Sequence, residues 1–442
     1  MNPYRRLAVT AVVAIVSVGV AVASVATAPR EDVEPTRSTA TSPGAVWTLD
    51  AADVLGDEFA TFEDPVGGRF GEVAGGVIDA GDVLVAKAGL INQESKEFER
   101  SELVGFDAST GVVRWTASAD GIGHCSSTVV GSFVLCISGS DVVAVDSASG
   151  EVTRYPTGWN LFRVTADGAD IYVVEGEEDG YSVRIHRGTL DDFDSRWSLT
   201  VDDTWVDPSN RLEIVTIAGG NGVARFSSGT ALFDVETGEL VDNFASPDCV
   251  RERSKRGDEV FFVVGRRCSD LFVFRSDLVD STGRTIATAD TELYQRVSVD
   301  ALNAPDDPVM FGGTAFDPIS GQTLWTADDY NFTSDVAIVD GVVIAQSVPA
   351  RDLRTGAQLW SDDVEPVNTL PTAVHGGAAY VVDWQEILAL DPATGSRRAS
   401  VSIDSLVGNT DGRSEEVALQ EIGGGVLVVN ETRLNLLPPV SE

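Results

Sequence analysis

The stretch Leu103-Val104-Gly105-Phe106-Asp107-Ala108-Ser109-Thr110-Gly111-Val112-Val113-Arg114-Trp115 decides how the whole chain is read. The residues up to Phe106 form one short strand, Asp107 to Gly111 a turn, and Val112 to Trp115 the returning strand. An aspartate opening such a turn accepts hydrogen bonds from backbone N–H groups two and three residues on. A glycine four residues on takes the positive φ that closes a short hairpin loop. One hairpin of this kind says little about fold. Its recurrence says a great deal.

The phrase returns around Asp146 and Gly150, Asp234 and Gly238, Asp317 and Gly321, Asp352 and Gly356, and Asp391 and Gly395. Asp107 to Asp146 and Asp352 to Asp391 are each 39 residues apart, and Asp317 to Asp352 are 35 apart. Two wider gaps each leave room for one worn copy, supplied by Gly188–Trp197 and Asp277–Thr285. Short strands repeating at about 40 residues are the signature of a β-propeller. Other runs, such as Asp170–Val174, Val260–Val264 and Gly425–Val429, are also short, apolar and bounded by Gly, Asp or Ser. No sustained helical period follows residue 44. The expected fold is all-β, an eight-bladed β-propeller, with seven blades as the alternative. Ala45–Leu49 reads as a last strand with nothing before it, while Val426–Val429 and Arg433–Leu437 lack a following partner. Pairing these two ends closes the ring and leaves no long free edge. That closing unit makes nine, so one weak unit, the short Val309–Trp325 segment, is expected to fall short of a full blade.

The phrase Asp-x-x-[Thr/Ser]-Gly-x-x-x-Trp is complete at Asp107–Trp115, Asp317–Trp325 and Asp352–Trp360. It resembles the PQQ-binding-like, or quinoprotein-like, β-propeller repeat, and the resemblance runs from about Val46 to the C-terminus. It implies the fold and is weak for function, because fold alone does not carry activity. Quinoprotein alcohol dehydrogenases resemble the chain in this repeat, but they are longer and carry adjacent cysteines beside the quinone. None of the four cysteines here is adjacent to another.

Ahead of the repeats, residues 1–6 carry Arg5 and Arg6, and Leu7 to Ala28 is an unbroken apolar and small-residue run without charge. Such a run spans a bilayer as a helix, and the preceding arginines place residues 1–6 in the cytoplasm and the rest outside. The competing reading is a secreted protein with a signal peptide cleaved after Ala26-Thr27-Ala28. Pro29 after that site and the length of the run favour a retained anchor. Residues 29–44, rich in Pro, Thr, Ser and Ala, read as a flexible linker to the propeller at 45–442.

Sixty-nine acidic residues against 31 basic give a net charge of −38, with lysine only at positions 87, 96 and 255. This excludes nucleic acid and anionic lipid surfaces as natural partners. The acidic groups Asp191–Asp194, Asp202-Asp203 and Asp306-Asp307 lack calcium-loop spacing and read as solvated loop tips. The one basic run, Arg251–Arg256, reads as a solvated hairpin tip, with a patch for an acidic partner as the alternative. Cys125 and Cys136 flank one hairpin, Cys249 and Cys268 another, and both pairs are expected as structural disulfides in an oxidising compartment. Free thiols or a metal site are the alternatives. His124, His186 and His375 are far apart in sequence, so zinc at Cys125 and His124 is the weaker reading.

No catalytic motif is present: no Gly-x-Ser-x-Gly elbow, no Ser-x-x-Lys, no His-Glu-x-x-His and no phosphate-binding glycine loop. No catalytic, cofactor-binding or metal residue is assigned. The sequence therefore reads as a membrane-anchored, extracytoplasmic, non-catalytic scaffold that binds a protein or a cell-envelope component and needs no cofactor. The alternative is a PQQ-dependent quinoprotein oxidoreductase.

Overall fold

The computed structural model describes residues 44–440 apart from 68–75, 92–97, 177–181, 203, 205, 207–214, 219, 227–228, 243–248, 257–260, 269–272, 281–282, 290–306, 312, 328–335, 362–363, 365 and 408–416. The stretches 1–6 and 7–28 and nearly all of the linker therefore lie outside the described residues. No helix among the described residues is long and apolar enough to cross a membrane.

The repeat phrase folds as its turn chemistry dictates. At Asp107, carboxylate Oδ1 accepts from the N–H groups of Ser109 at 3.0 Å and Thr110 at 2.9 Å, and Gly111 N–H donates to the Asp107 carbonyl at 2.8 Å. The same corner recurs at Asp146, Asp234, Asp317, Asp352 and Asp391, each closed by the glycine four residues on. Hydrogen bonds hold these carboxyls below their usual range, from Ser109 in the turn and Arg114 in the returning strand at Asp107, and from Ser149 in the turn and Ser132 ahead of the second strand at Asp146.

These corners join antiparallel strands into an all-β propeller. Blade 1 comprises Ala60–Glu63, Val83–Ile91, Phe98–Asp107 and Val113–Ser118, with Ile78–Asp79 added beside the second strand. Blade 2 spans Cys125–Val130 to Val152–Pro156, blade 3 Asn160–Asp167 to Asp192–Asp202, blade 4 Val215–Ala218 to Leu240–Asp242, and blade 5 Cys249–Arg256 to Thr285–Ala289. Blade 6 has Val336–Val339, Val342–Ala345 and Arg351–Asp352, with a bridge from Arg351 to Gln358 in the fourth position. Blade 7 runs from Ala373–His375 to Arg397–Ser402. Blade 8 joins Ala418–Ile422, Gly425–Val429 and Arg433–Leu437 to Trp47–Asp50, the first strand of the ring. Between blades 5 and 6 stands a three-stranded sheet, Val309–Phe311, Thr314–Phe316 and Thr323–Thr326. Eight blades plus this shorter sheet match the expectation of eight, with the Val309–Trp325 segment set apart.

Closure follows the pairing read from the two ends. Trp47 faces Leu436, Thr48 faces Asn435 and Leu49 faces Leu434. The buried Thr48 hydroxyl meets the Asn435 side-chain oxygen at 2.9 Å. Successive sheets share apolar layers all the way round. Leu49 and Leu434 pack with Phe62 and Phe106 between blades 8 and 1, and Tyr380 and Ile387 pack with Leu419 and Val428 between blades 7 and 8. Middle strands are covered on both faces, so they are continuously apolar, as at Val142–Val145. Outer strands are covered on one face and alternate, as in Arg397–Ser402.

The repeat tryptophan joins one sheet to the next. Each donates its indole N–H to a carbonyl in the following sheet's corner, from a fourth strand at Trp47, Trp115 and Trp197, from the last strand of the three-stranded sheet at Trp325, and from the bend after the Gln358 bridge at Trp360. Trp47 reaches Ala108 at 3.0 Å, Trp115 reaches Ser147 at 2.8 Å, and Trp197 reaches Val235 at 2.7 Å. Trp325 reaches Leu353 at 2.9 Å and Trp360 reaches Pro392 at 2.8 Å. Each ring lies flat on the corner glycine, where a Cβ would come within 2.6 to 2.8 Å of a ring carbon. At the Asp317 corner the three-stranded sheet receives Ile286 against Gly321 instead. Packing between blades thus accounts for Trp115, Trp325 and Trp360 without a ligand.

Two local expectations are corrected. Residues 251–256 are not a hairpin tip: they belong to the strand Cys249–Arg256, which pairs with Phe261–Cys268 as far as Arg256 opposite Phe262. In the second worn copy the corner is made by Asp280, which accepts from Gly283 and Arg284, while Asp277 is buried and receives the Thr288 hydroxyl at 2.8 Å.

Candidate binding face

The up-and-down order gives each blade two unlike ends. First-to-second and third-to-fourth connections leave from one end, and the Trp-to-corner contacts show that this end is shared by successive blades. It is a face of tight turns. Second-to-third connections and the links between blades leave from the other end, which carries the short helices Ala51–Leu55 and Ile403–Val407. This is the loop face. Because Trp47 begins a fourth strand, the chain enters blade 8 at its turn-face end, after Gly44 has passed beside Val401 in the outer strand of blade 7.

Below the loop face the inner strands are tied by buried polar groups. After Glu63 the chain leaves the first strand of blade 1 and turns at Asp64, whose carboxylate accepts from Val66 N–H at 2.8 Å. The Pro65 carbonyl accepts from Cys125 N–H at 2.8 Å in blade 2, and the Val66 carbonyl from Arg163 Nη1 at 3.1 Å in blade 3. Burial pulls the Arg163 guanidinium below its usual value, opposed by the Asp64 charge. Lys87 is buried, 2.9 Å from Glu63 Oε2, and donates to the Ile122 carbonyl at 3.2 Å. On the opposite side, the Gln420 amide brackets Val77, accepting from its N–H at 3.1 Å and donating to its carbonyl at 2.8 Å. These contacts stitch blade 1 to blades 2, 3 and 8, so the buried charges here read as struts.

A second cluster lies on the side of blade 3 facing blade 2. His186 Nε2 is 3.1 Å from Glu175 Oε1, and Nδ1 is 2.6 Å from Asp194 Oδ1 and 3.3 Å from Ser198 Oγ. Arg184 stands 3.4 Å from Glu175 and lies over the Trp159 ring. Burial works against charge on His186, but pairing with Glu175 and Asp194 outweighs it and raises the pKa. Burial likewise opposes charge on Glu175, whose pKa is nevertheless lowered by the histidine and Arg184. The trio of Ser198, His186 and a carboxylate superficially suggests a nucleophile and its base. Carboxylates at both ring nitrogens favour the doubly protonated imidazolium, which has no lone pair with which to take the serine proton.

The Cys125–Cys136 disulfide is formed, joining the start of the first strand of blade 2 to the end of its second, at the loop-face edge. Cys249 and Cys268 are directly opposite each other at the matching position of blade 5, and their side chains lie outside the described residues. Asp194, read from sequence as part of a solvated tip, is exposed and also holds His186, and Asp307 is paired with Arg354. Among the described residues no three His, Cys, Asp or Glu side chains are grouped to hold a metal. The residues do not suit a quinone. The one bond formed between described cysteines joins strands and not neighbours in sequence, and the repeat tryptophans are committed to interblade contacts.

Reasoning from the sequence did not single out Phe59, 71 % exposed, or Trp384, 82 % exposed, both on the loop face. Trp384 opens the two-residue turn between Asp383 and Glu386 with φ of 53°. Blade 2 uses Gly139 at the same place. A large aromatic in the left-handed region costs about 1–2 kcal/mol, and exposing it brings no burial in return.

Residues 345–436 match a PQQ-like repeat family model described as outer membrane protein assembly factor BamB. Among solved structures, BamB from Moraxella catarrhalis aligns at 10 % identity over 88 % of this chain and 98 % of its own, with a TM-score of 0.40. Apo AztD from Citrobacter koseri aligns at 11 % identity over 78 % of this chain and 94 % of its own, also at 0.40. A comparison with curated protein sequences finds no match. Over residues 345–436 the family-model match agrees with the PQQ-like β-propeller repeat read from the Asp-to-Trp phrase.

Proposed function

We propose that this propeller of PQQ-like repeats is a non-catalytic scaffold, held outside a cell membrane by residues 7–28, whose loop face binds a protein or an envelope component. The observation that carries the reading is the inequality of the two ends. On the turn face, corners and tryptophans are used up in holding blades together, whereas the loop face displays Phe59 and Trp384 with no structural task. Three further points support it. The family model matched by residues 345–436 is described as an assembly factor. The His186 arrangement favours a charged clamp over a general base. A disulfide suits an oxidising compartment.

The test is photo-crosslinking in living cells, with a photoreactive residue at Phe59 on the loop face or at Ile319, 73 % exposed, on the turn face. The scaffold reading expects one defined adduct from position 59 and none from 319. Adducts from neither position, or equally from both, would sink it. Fractionation after an alkaline wash tests the anchor: recovery of the full chain in the soluble fraction excludes it.

A further inference from the structure

We propose that the loop face over blades 7, 8 and 1 is a docking ridge for a cationic, amphipathic segment of a partner protein. This deepens the scaffold reading and rests on it.

The ridge is continuous through the structure. At one end, Trp384 is followed by Gln385, whose carbonyl accepts from Ile403 N–H at 2.8 Å at the start of the helix Ile403–Val407. The carbonyl of Leu406 in that helix accepts from Arg433 Nη1 at 3.5 Å, and Arg433 Nε pairs with Asp50. Ala51 N–H donates to the Thr432 carbonyl at 2.9 Å, which seats the helix Ala51–Leu55 beside it. Gly56 ends that helix, and Phe59 stands at the far end, its N–H on Asp57.

Among the described residues, the charge along the ridge that is not already paired is acidic. Asp53, Asp57 and Glu58 flank Phe59, Asp383 and Asp404 flank Trp384, and Glu431 lies between them, all partly or fully exposed. Among the described residues, Arg433 and Arg100 at this end of blades 8 and 1 are already in ion pairs with Asp50 and Glu102, and the Arg397 side chain is paired with Glu386. Aromatic faces attract guanidinium and ammonium groups, and neighbouring carboxylates complete the complement. The same charge decides against other occupants. A second copy would bring another net charge of −38, and an anionic membrane surface would likewise be repelled. The opposite face carries an exposed apolar residue too, Ile319, but offers an aliphatic side chain and corner aspartates already saturated by their own turns.

The experiment uses the purified full-length chain and three labelled peptides: one alternating Arg with Leu, a second with Glu for Arg, and a third with Ser for Leu. Binding is read by anisotropy at low and at physiological salt. The Arg/Leu peptide is expected to bind and the other two to bind at least about tenfold more weakly. Trp384→Ser combined with Phe59→Ser should weaken Arg/Leu binding by at least about tenfold, as loss of aromatic anchors does. Ile319→Ser should leave it unchanged, and salt should weaken it. All three substitutions remove exposed side chains, so circular dichroism of each variant should match the parent. Retained affinity in the double variant, equal loss in Ile319→Ser, equal binding of the Ser peptide, or no binding by the parent each overturns the proposal. In any of these cases a loop-face adduct at position 59 leaves the scaffold reading standing, and its absence removes that reading as well.

Discussion

Replacing Gly395 by alanine tests the contact that holds the blades in order. Gly395 closes the Asp391 corner at φ of +70°, and an added Cβ would lie 2.7 Å from Trp360 Cδ2 and 2.7 Å from Val364 Cγ1. Trp360 is 1 % exposed and bonded to the Pro392 carbonyl, so the ring cannot step aside without leaving its site. Two effects add. Alanine at positive φ costs about 1 kcal/mol, and overpacking costs about 1–3 kcal/mol more. Gly131, at φ of +61° with nothing within 4 Å, isolates the first effect. Gly395→Ala should therefore lower stability by about 2–4 kcal/mol and Gly131→Ala by about 1 kcal/mol. Against a total of about 5–15 kcal/mol for an ordinary domain, the difference is easily read from urea midpoints at constant slope. Trp360→Ala alone should cost about 3–5 kcal/mol. Placed in the Gly395→Ala background it removes the clash, so the double variant should fall short of the sum by about 1–3 kcal/mol. Equal destabilisation by Gly395→Ala and Gly131→Ala, or strict additivity in the cycle, refutes the ring-on-glycine account.

Thiol titration of the unfolded, unreduced protein should find no free thiol, because Cys249 and Cys268 face each other as Cys125 and Cys136 do; two free thiols would mean that the second bridge is absent. Replacing Cys125 and Cys136 together by alanine opens a link of separation 11 and should cost about 3 kcal/mol on chain entropy; an unchanged urea midpoint contradicts this. His186 has its pKa raised above 6.5, so the stability it contributes is complete below that value and is lost as pH rises through the folded pKa. His186→Gln should remove that part of the pH profile, and an NMR titration of the His186 ring at or below 6.5 would contradict the clamp. The corner carboxyls have lowered pKa values, so their stabilisation is present above 3.8 and disappears as pH falls through the folded values. Acid unfolding should accordingly begin below about pH 4, and unfolding already at pH 5 would point elsewhere.

The corners were legible because their chemistry is confined to five consecutive residues, from Asp107 to Gly111 and its copies. Ring closure was legible because an apolar strand at Ala45–Leu49 without a local partner must pair at long range. The worn copies were found but not resolved: spacing revealed the gap and started the second copy at Asp277, whereas the corner is made by Asp280 three residues on. The His186 clamp was hidden because Glu175, His186 and Asp194 come from three strands whose register no local pattern fixes. The strut through Arg163 was hidden for the same reason, its partner being the Val66 carbonyl in another blade. Phe59 and Trp384 were missed because neither follows an apolar period or belongs to a repeat. Exposure is a property of the folded surface, and here it runs against what residue type alone suggests.

Thr48 and Asn435, 387 residues apart in sequence, meet in the strand pairing that completes blade 8. A polypeptide halted before Arg433 would hold most of its blades yet display Leu49, Phe62 and Phe106 to any protease or chaperone that surveys hydrophobic surface. Incomplete chains thereby advertise themselves until the last strand arrives. A force applied at Gly44 would load the same pairing lengthwise, so its hydrogen bonds would yield together in shear instead of unzipping one by one.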